Sequence, residues 1–187
     1  MKRPCLIFAF IMLLGLLPLI ACAQDSFPFL AKNRNEFVSP RKDTTTEDVY
    51  INANNKVIVK TAGDKTKYDI NEVWGFRNKK GKSYRIYKEK DYEVLQADTF
   101  CVYTREAQND VQTYTGYFFS IGIGGDLYEM TDANFKNLFS ETNDRFLSLL
   151  KINFNMFAGY TKYDEKNKSY KIVELYKKSL KHHKEED

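Results

Sequence analysis

The sequence predicts an α+β domain: a mostly antiparallel, hairpin-rich β-sheet of about six to eight short strands, followed by two or three C-terminal helices packed on it. Three observations predict it. Residues 73–87 read as one tight β-hairpin. Short runs of β-branched and aromatic residues, separated by Asn, Asp and Gly clusters, recur between residues 48 and 130. Beyond Thr131 the apolar residues change to helical spacing, as in Phe135, Leu138 and Phe139.

In chain order, residues 1–23 carry the pattern of a secretion signal. Lys2 and Arg3 form the positive start, residues 6–20 are a nearly unbroken apolar run, and small residues close it. The run is short for a membrane-spanning helix and contains Gly15 and Pro18. Two cleavage patterns overlap at its end. Ala21-Cys22-Ala23 has the small-x-small form of ordinary signal peptidase sites, which puts the mature start at Gln24. Leu19-Ile20-Ala21-Cys22 resembles the lipobox of bacterial lipoproteins, which makes Cys22 the lipidated first residue; Ile20 stands where Ala or Ser is usual. Several acyl chains on Cys22 would give a stable membrane tether, whereas a single chain is marginal.

Residues 24–47 are polar, with Pro28 and Pro40, and are expected to be a flexible spacer in which Phe27-Pro28-Phe29-Leu30 docks locally. A single domain is expected over residues 48–181, with 182–187 a charged, solvated tail. Strands are expected at 49–51 and 56–61 around the turn cluster Asn52-Ala53-Asn54-Asn55, and at 68–70 after Gly63-Asp64.

The hairpin follows. Asn78-Lys79-Lys80-Gly81 suits a type I turn closed by a glycine in the left-handed region. Setting Asn78 opposite Lys82 pairs Phe76 with Tyr84, Gly75 with Arg85 and Trp74 with Ile86. Trp74, Phe76, Tyr84 and Ile86 then share one face, the expected core face. Arg77 and Arg85 fall on the other, where solvation is expected.

Further strands are expected at 92–95, 100–104, 117–121 and 127–130, with a polar loop at 106–113. Gly122-Ile123-Gly124-Gly125-Asp126 lacks the third glycine of a dinucleotide loop and is followed by a strand-like segment, so it reads as a connection. Thr131 or Asp132 is expected to cap a first helix, and a residue near Thr142 a second whose apolar stripe runs to Phe157 and stops at Gly159. A third is expected over 168–181, although Tyr170 and Ile172 also alternate like a strand start.

Val73-Trp74-Gly75-Phe76, Gly81, Tyr84-Arg85, Phe100-Cys101-Val102-Tyr103 and the strand at 117–120 resemble an uncharacterised group of small exported proteins of Bacteroidetes-type bacteria. Tyr163-Asp164 and residues 167–170 extend the resemblance, which spans about residues 56–176. It implies export and a Trp-Gly-aromatic, Gly-turn, Tyr-Arg hairpin, and it carries over no catalytic residue.

Charge and composition narrow the chemistry. The chain has 29 basic and 25 acidic residues; losing Lys2 and Arg3 with the signal leaves a net charge of +2. That balance is too even to imply nucleic acid or an anionic membrane as a partner, and no nucleic-acid partner is expected. Removal of Cys5, and removal or lipidation of Cys22, leaves Cys101 with no intramolecular disulfide partner. Mid-strand and far in sequence from His182 and His183, Cys101 reads as a small buried residue. No nucleophile elbow, zinc motif or Walker loop is present, and no cofactor or metal is expected. The expected class is a non-enzymatic envelope protein, a binding or structural module for an unidentified envelope protein or surface component, with Cys22 as a candidate tether. The alternative is a small carboxylate-dependent hydrolase of envelope glycans. It would use Asp69 or Glu72 with Asp91 or Glu93, since paired carboxylates about 5–9.5 Å apart hydrolyse glycosides.

Overall fold

The computed structural model describes residues 27–108, 112–154 and 159–181. Ala21, Cys22, Ala23 and the rest of the expected signal lie outside the described residues, as does the tail 182–187. The described residues form, in chain order, strand β1 (Phe29–Ala31), helix α1 (Arg34–Val38), strands β2 (Thr46–Ile51), β3 (Lys56–Thr61) and β4 (Asp64–Asp69), a 3-10 turn (Ile70–Glu72), and strands β5 (Gly75–Arg77), β6 (Ser83–Tyr87), β7 (Lys90–Gln96), β8 (Phe100–Gln108), β9 (Thr113–Ile121) and β10 (Tyr128–Glu129). Helices α2 (Asp132–Phe139) and α3 (Asp144–Asn153), the short strands β11 (Tyr163–Asp164) and β12 (Ser169–Tyr170), and helix α4 (Lys171–Lys181) complete them. This is the α+β architecture the sequence predicts, with helices following a seven-stranded antiparallel sheet.

The hairpin has the expected register. Asn78 N–H donates to the Lys82 carbonyl and Gly81 N–H to the Asn78 carbonyl, each at 3.0 Å, with Gly81 at φ +79°. Gly75 faces Arg85 and Phe76 faces Tyr84. Its core face differs by one residue. Phe76 and Ile86 are buried and Tyr84 is half-buried beside them, but Val73 takes the fourth place in that cluster. Trp74 lies half-buried on the opposite face, against Phe37 and Arg85. The cause is the 3-10 turn just before it. Asp69 accepts from the Asn71 N–H while Glu72 accepts from the Asp69 N–H, a reciprocal cap that delivers the chain with Val73 already inward.

The main sheet runs β1-β5-β6-β7-β8-β9-β10. Strands β5 to β9 are a meander of sequential neighbours, and β1 and β10 close its edges. Strand β1 corrects the expected spacer at 24–47. Phe29 and Ala31 are buried, Leu30 packs into the opposite face, and Trp74 N–H donates to the Ala31 carbonyl at 2.9 Å. Three apolar side chains in a row are what an edge strand buried on both faces requires. The domain therefore begins nearer residue 29 than residue 48.

One face of the sheet, the inner face, is covered by two separate bodies. Over β5 and β6 lies the three-stranded sheet β2-β3-β4, with Val49, Val57 and Ile70 against Phe76 and Ile86. Over β8 and β9 lie the helices, with Phe135, Phe139, Phe146 and Tyr176 packed around Phe100 and Phe119. The Phe100 and Phe119 rings stack across the strand pair at 5.1 Å. Thr131 caps α2, as the sequence predicts, by accepting from the Asn134 N–H. Asn143, next to Thr142 as the sequence predicts, caps α3. It does two jobs from a buried position, accepting from the Phe146 N–H at 3.0 Å and donating to Ser179 Oγ of α4 at 2.8 Å. Helix α3 ends at Asn153, short of the expected stripe to Phe157, and residues 155–158 lie outside the described residues. Both readings of residues 168–181 hold in part: β12 pairs with β11, and α4 starts directly after it. Among the described residues no helix is long and apolar enough to cross a membrane.

The buried double role of Asn143 makes it a sensitive position. Asn143→Ala removes the side-chain cap, leaving the Phe146 N–H only its bond to the residue-143 carbonyl, and takes the amide donor from buried Ser179, so it should cost about 1–3 kcal/mol. Urea unfolding checks this; Thr142→Ala should cost much less, because Asn143 holds the cap.

Candidate functional site

The other, outer face of the main sheet is where the polar and aromatic side chains converge. Strand alternation and register put Arg77, Arg85, Tyr87, Tyr92, Val94, Cys101, Tyr103 and Ser120 on it. At its centre is Arg85, only 4% exposed, which the sequence reading left in solvent. Its guanidinium lies over the rings of Trp74 and Tyr87 at 5.2 and 5.1 Å, with Tyr103 at 6.0 Å. Nη1 donates to the Gly125 carbonyl at 2.7 Å and makes a longer 3.5 Å contact to the Tyr103 hydroxyl. Nε has no hydrogen-bond partner. Aromatic faces and a carbonyl surround this charge in place of a carboxylate.

The Arg85 contacts hold down the 122–127 connection. Ser120 Oγ donates to the Gly122 carbonyl at 2.7 Å, so the 2.9 Å bond between Ser120 and Tyr103 is donated by the phenol. Tyr87 donates to Asp126 at 2.9 Å. Gly122 sits at φ +65°, and a Cβ on Gly125 would come within 2.4 Å of the Ile121 carbonyl. The Gly122 N–H donates to the Thr99 carbonyl and the Gly125 N–H to the Gly122 carbonyl, so neither points to a phosphate. The glycines serve a tight fold-back over Arg85.

A groove of ≈ 730 Å³ opens beside this loop, between α1 and the β7–β8 connection. Phe27, Phe37, Val38 and Ile123 give it apolar walls, and Arg34 and Arg77 give it charge. Helix α1 is brought in by Asn33, which accepts from the Glu36 N–H, while Glu36 accepts from the Lys32 N–H. Gly75 lets it approach: a Cβ there would lie 2.7 Å from the Phe37 ring. Trp74 packs against Phe37 with the rings tilted, centroids 4.9 Å apart. Arg77 is half-buried, bonded through Nε to Ser83 Oγ at 2.9 Å and resting on Phe29 at 5.2 Å. Burial draws its pKa down, yet a guanidinium stays charged. Asp98, the one carboxylate lining the groove among the described residues, is bridged to Lys177 at 2.7 Å. Burial works to raise the Asp98 carboxyl, but Lys177 and Thr99 outweigh it and hold it below its ordinary value.

The other candidate residues have structural work. Asp69 pairs with Lys56 and caps the 3-10 turn with Glu72; Glu93 pairs with Lys82 at 2.8 Å; Asp91 faces Ile86 in the β6–β7 pair. Asp69 is held below the ordinary carboxylate range by the Lys56 hydrogen bond and the Asn71 N–H. Cys101 is buried, its thiol donating to the Asp98 carbonyl at 3.0 Å, and burial pushes its pKa up. Among the described residues no group of three or more His, Cys, Asp or Glu is placed to hold a metal ion. Of the four expected hairpin-core residues, Trp74 alone reaches this site, through Phe37. Arg34, Phe37 and Arg85 were missed, although Asn33-Arg34-Asn35-Glu36 carries a capping-box signature and Gly75 opposite Arg85 marks a close approach.

A scan against protein-family models gave no match, and searches of curated proteins and of solved structures gave none either. The fold and the outer face therefore define the protein only at the level of an α+β domain with an arginine-lined groove.

Two expectations test the Arg85 centre. Arg85→Ala should destabilise by roughly 3 kcal/mol, from a lost charged hydrogen bond and lost cation–π contacts. Hydrogen exchange should quicken first within residues 122–127. The second concerns Tyr103, whose phenol burial pushes up to about 12. A raised folded-state pKa means the stability it contributes is fully present below the unfolded value near 10 and lost as pH climbs through 12. Unfolding free energy should fall between pH 10 and 12, by about 2–3 kcal/mol from this group. Tyr103→Phe should make that fall shallower, with the other phenols that burial raises, Tyr84, Tyr92, Tyr160, Tyr170 and Tyr176 among them, supplying the rest.

Proposed function

We propose that the chain is a non-enzymatic binding module of the bacterial cell envelope, exported and either tethered through Cys22 or released at Gln24. The groove between α1 and the β7–β8 connection carries this reading. It pairs apolar walls with two guanidiniums that have no carboxylate partner among the described residues, while Asp69, Glu72, Glu93 and Cys101 are engaged in holding the fold. The signal pattern and the resemblance to small exported proteins support the location.

Fractionation of host cells with intact-mass measurement tests the location. The expected species is either membrane-bound, starting at Cys22 with added acyl mass, or soluble and starting at Gln24; a cytoplasmic chain still starting at Met1 would overturn export. Native mass spectrometry of the protein isolated from its host tests the binding. The expected result is a bound adduct that disappears in Val38→Trp, which fills the groove from an exposed position. An adduct unchanged by that substitution, or none at all, would sink the binding reading.

A further inference from the structure

We infer that the groove takes a single-chain anionic amphiphile, with Arg77 and Arg34 gripping a phosphate or carboxylate head and the apolar walls covering the first part of its chain. The inference rests on the binding reading above and adds the class of ligand. Three observations carry it.

The first is charge. Asp98, the carboxylate in the lining, is already neutralised by Lys177, so among the described residues the groove presents two positive charges without a carboxylate partner. Arg77 is half-buried and bonded through Nε to Ser83 alone, which leaves both terminal nitrogens for a ligand. A planar guanidinium offers paired N–H groups that match phosphate and carboxylate oxygens. Arg34 is exposed on α1 with its side chain resting along Gly124, on the same groove.

The second is apolar surface. Phe27, Phe37, Val38 and Ile123 leave Val38 59% exposed beside the two arginines. A free inorganic anion has no use for that surface, whereas an alkyl chain covers it favourably. Apolar walls with a few placed polar groups are the ordinary make-up of a small-molecule site.

The third is position. Phe27 lines the groove and stands five residues after Cys22. An extended chain spans at most about 3.6 Å per residue, so in the tethered form the groove lies within roughly 18 Å of the first lipidated residue. Residues expected to form a long spacer instead build β1 and α1. The groove is thereby held at the bilayer surface, where anionic amphiphiles are found.

The protein carries its own reporter. Trp74 is the only tryptophan and packs against Phe37 in the groove wall. The exported chain with Cys22→Ala has no thiol to acylate there and is titrated with dodecyl phosphate below its micelle concentration, following Trp74 fluorescence. Dodecyl maltoside and inorganic phosphate serve as the neutral amphiphile and the free anion. Dodecyl phosphate should give a saturable change. Dodecyl maltoside and inorganic phosphate should each bind at least tenfold more weakly. Arg77→Gln should weaken dodecyl phosphate at least tenfold, and so should Val38→Asp, an exposed position whose change adds a repelling carboxylate without touching the core. Binding of the maltoside as tight as the phosphate ester would overturn the anionic class and leave the binding groove standing. Inorganic phosphate binding as tightly would replace the amphiphile with a free anion. No response to any of the three, or full affinity in both variants, would overturn the inference, while the adduct measurement on host protein would still decide whether the groove binds something else.

Discussion

The outer face depends on one buried charge without a counter-ion. Moving a guanidinium out of water is costly, and a carboxylate partner is the usual offset. Arg85 has instead three aromatic faces, one backbone carbonyl and the hydroxyl of Tyr103. Each is a partial negative charge of fixed direction, and each belongs to a different piece of chain. Satisfying Arg85 therefore requires Trp74, Tyr87, Tyr103 and Gly125 to be in place together. The Gly125 requirement folds the 122–127 connection onto the sheet, and Trp74, turned outward by the cap at Asp69 and Glu72, gives α1 a ring to pack against. Both walls of the groove are consequences of this one residue's surroundings.

The two faces of the sheet are treated differently because their partners come from different parts of the chain. The inner face receives the β2-β3-β4 sheet at one end and three helices at the other, each a large apolar body. Among the described residues the outer face receives only a five-residue helix and a glycine-rich connection. Such short segments cannot cover a seven-stranded sheet, so aromatic and half-buried polar side chains fill the middle and a groove is left at one side. Phenols rather than carboxylates suit the covered part, since burial raises their pKa and keeps them neutral, as at Tyr103. The same burial raises the Cys101 thiol, whose hydrogen is tied to the Asp98 carbonyl.

What was legible in the sequence was what local chemistry decides. Asn78 to Gly81 specify a turn by their own backbone preferences, and the turn then sets every pair up to Gly75 and Arg85. Thr131 and the helical spacing of Phe135, Leu138 and Phe139 specify α2 in the same way. Where the outcome hung on distant partners, local pattern misled. Phe29 to Ala31 look like a fragment in a polar stretch, and only the free edge of β5 makes them a strand. Strict alternation put Trp74 inside; a cap four residues earlier put Val73 there in its place. Arg85 read as solvated because strand alternation put it on the face opposite the expected core. Its partners are rings and a carbonyl up to 40 residues away, and a composition count cannot weigh those against water.

The register of β1 links the groove to the attachment point proposed for the chain. Pairing sets Phe29 opposite Arg77 and Ala31 opposite Gly75, so the strand runs from the groove inward to the Arg85 row. Strand β1 thus starts beside Arg77, whose guanidinium lies over the Phe29 ring. A one-residue slip would turn Phe29 and Ala31 to the inner face and bring Leu30 against Arg77, so the double burial of this short strand resists slippage. An N-terminal tether pulling on the chain pulls on the strand lining this corner, and the groove cannot move far from the point of attachment without β1 leaving the sheet. In a lipidated protein, edge pairing of three residues would be what decides which face of the domain meets the membrane.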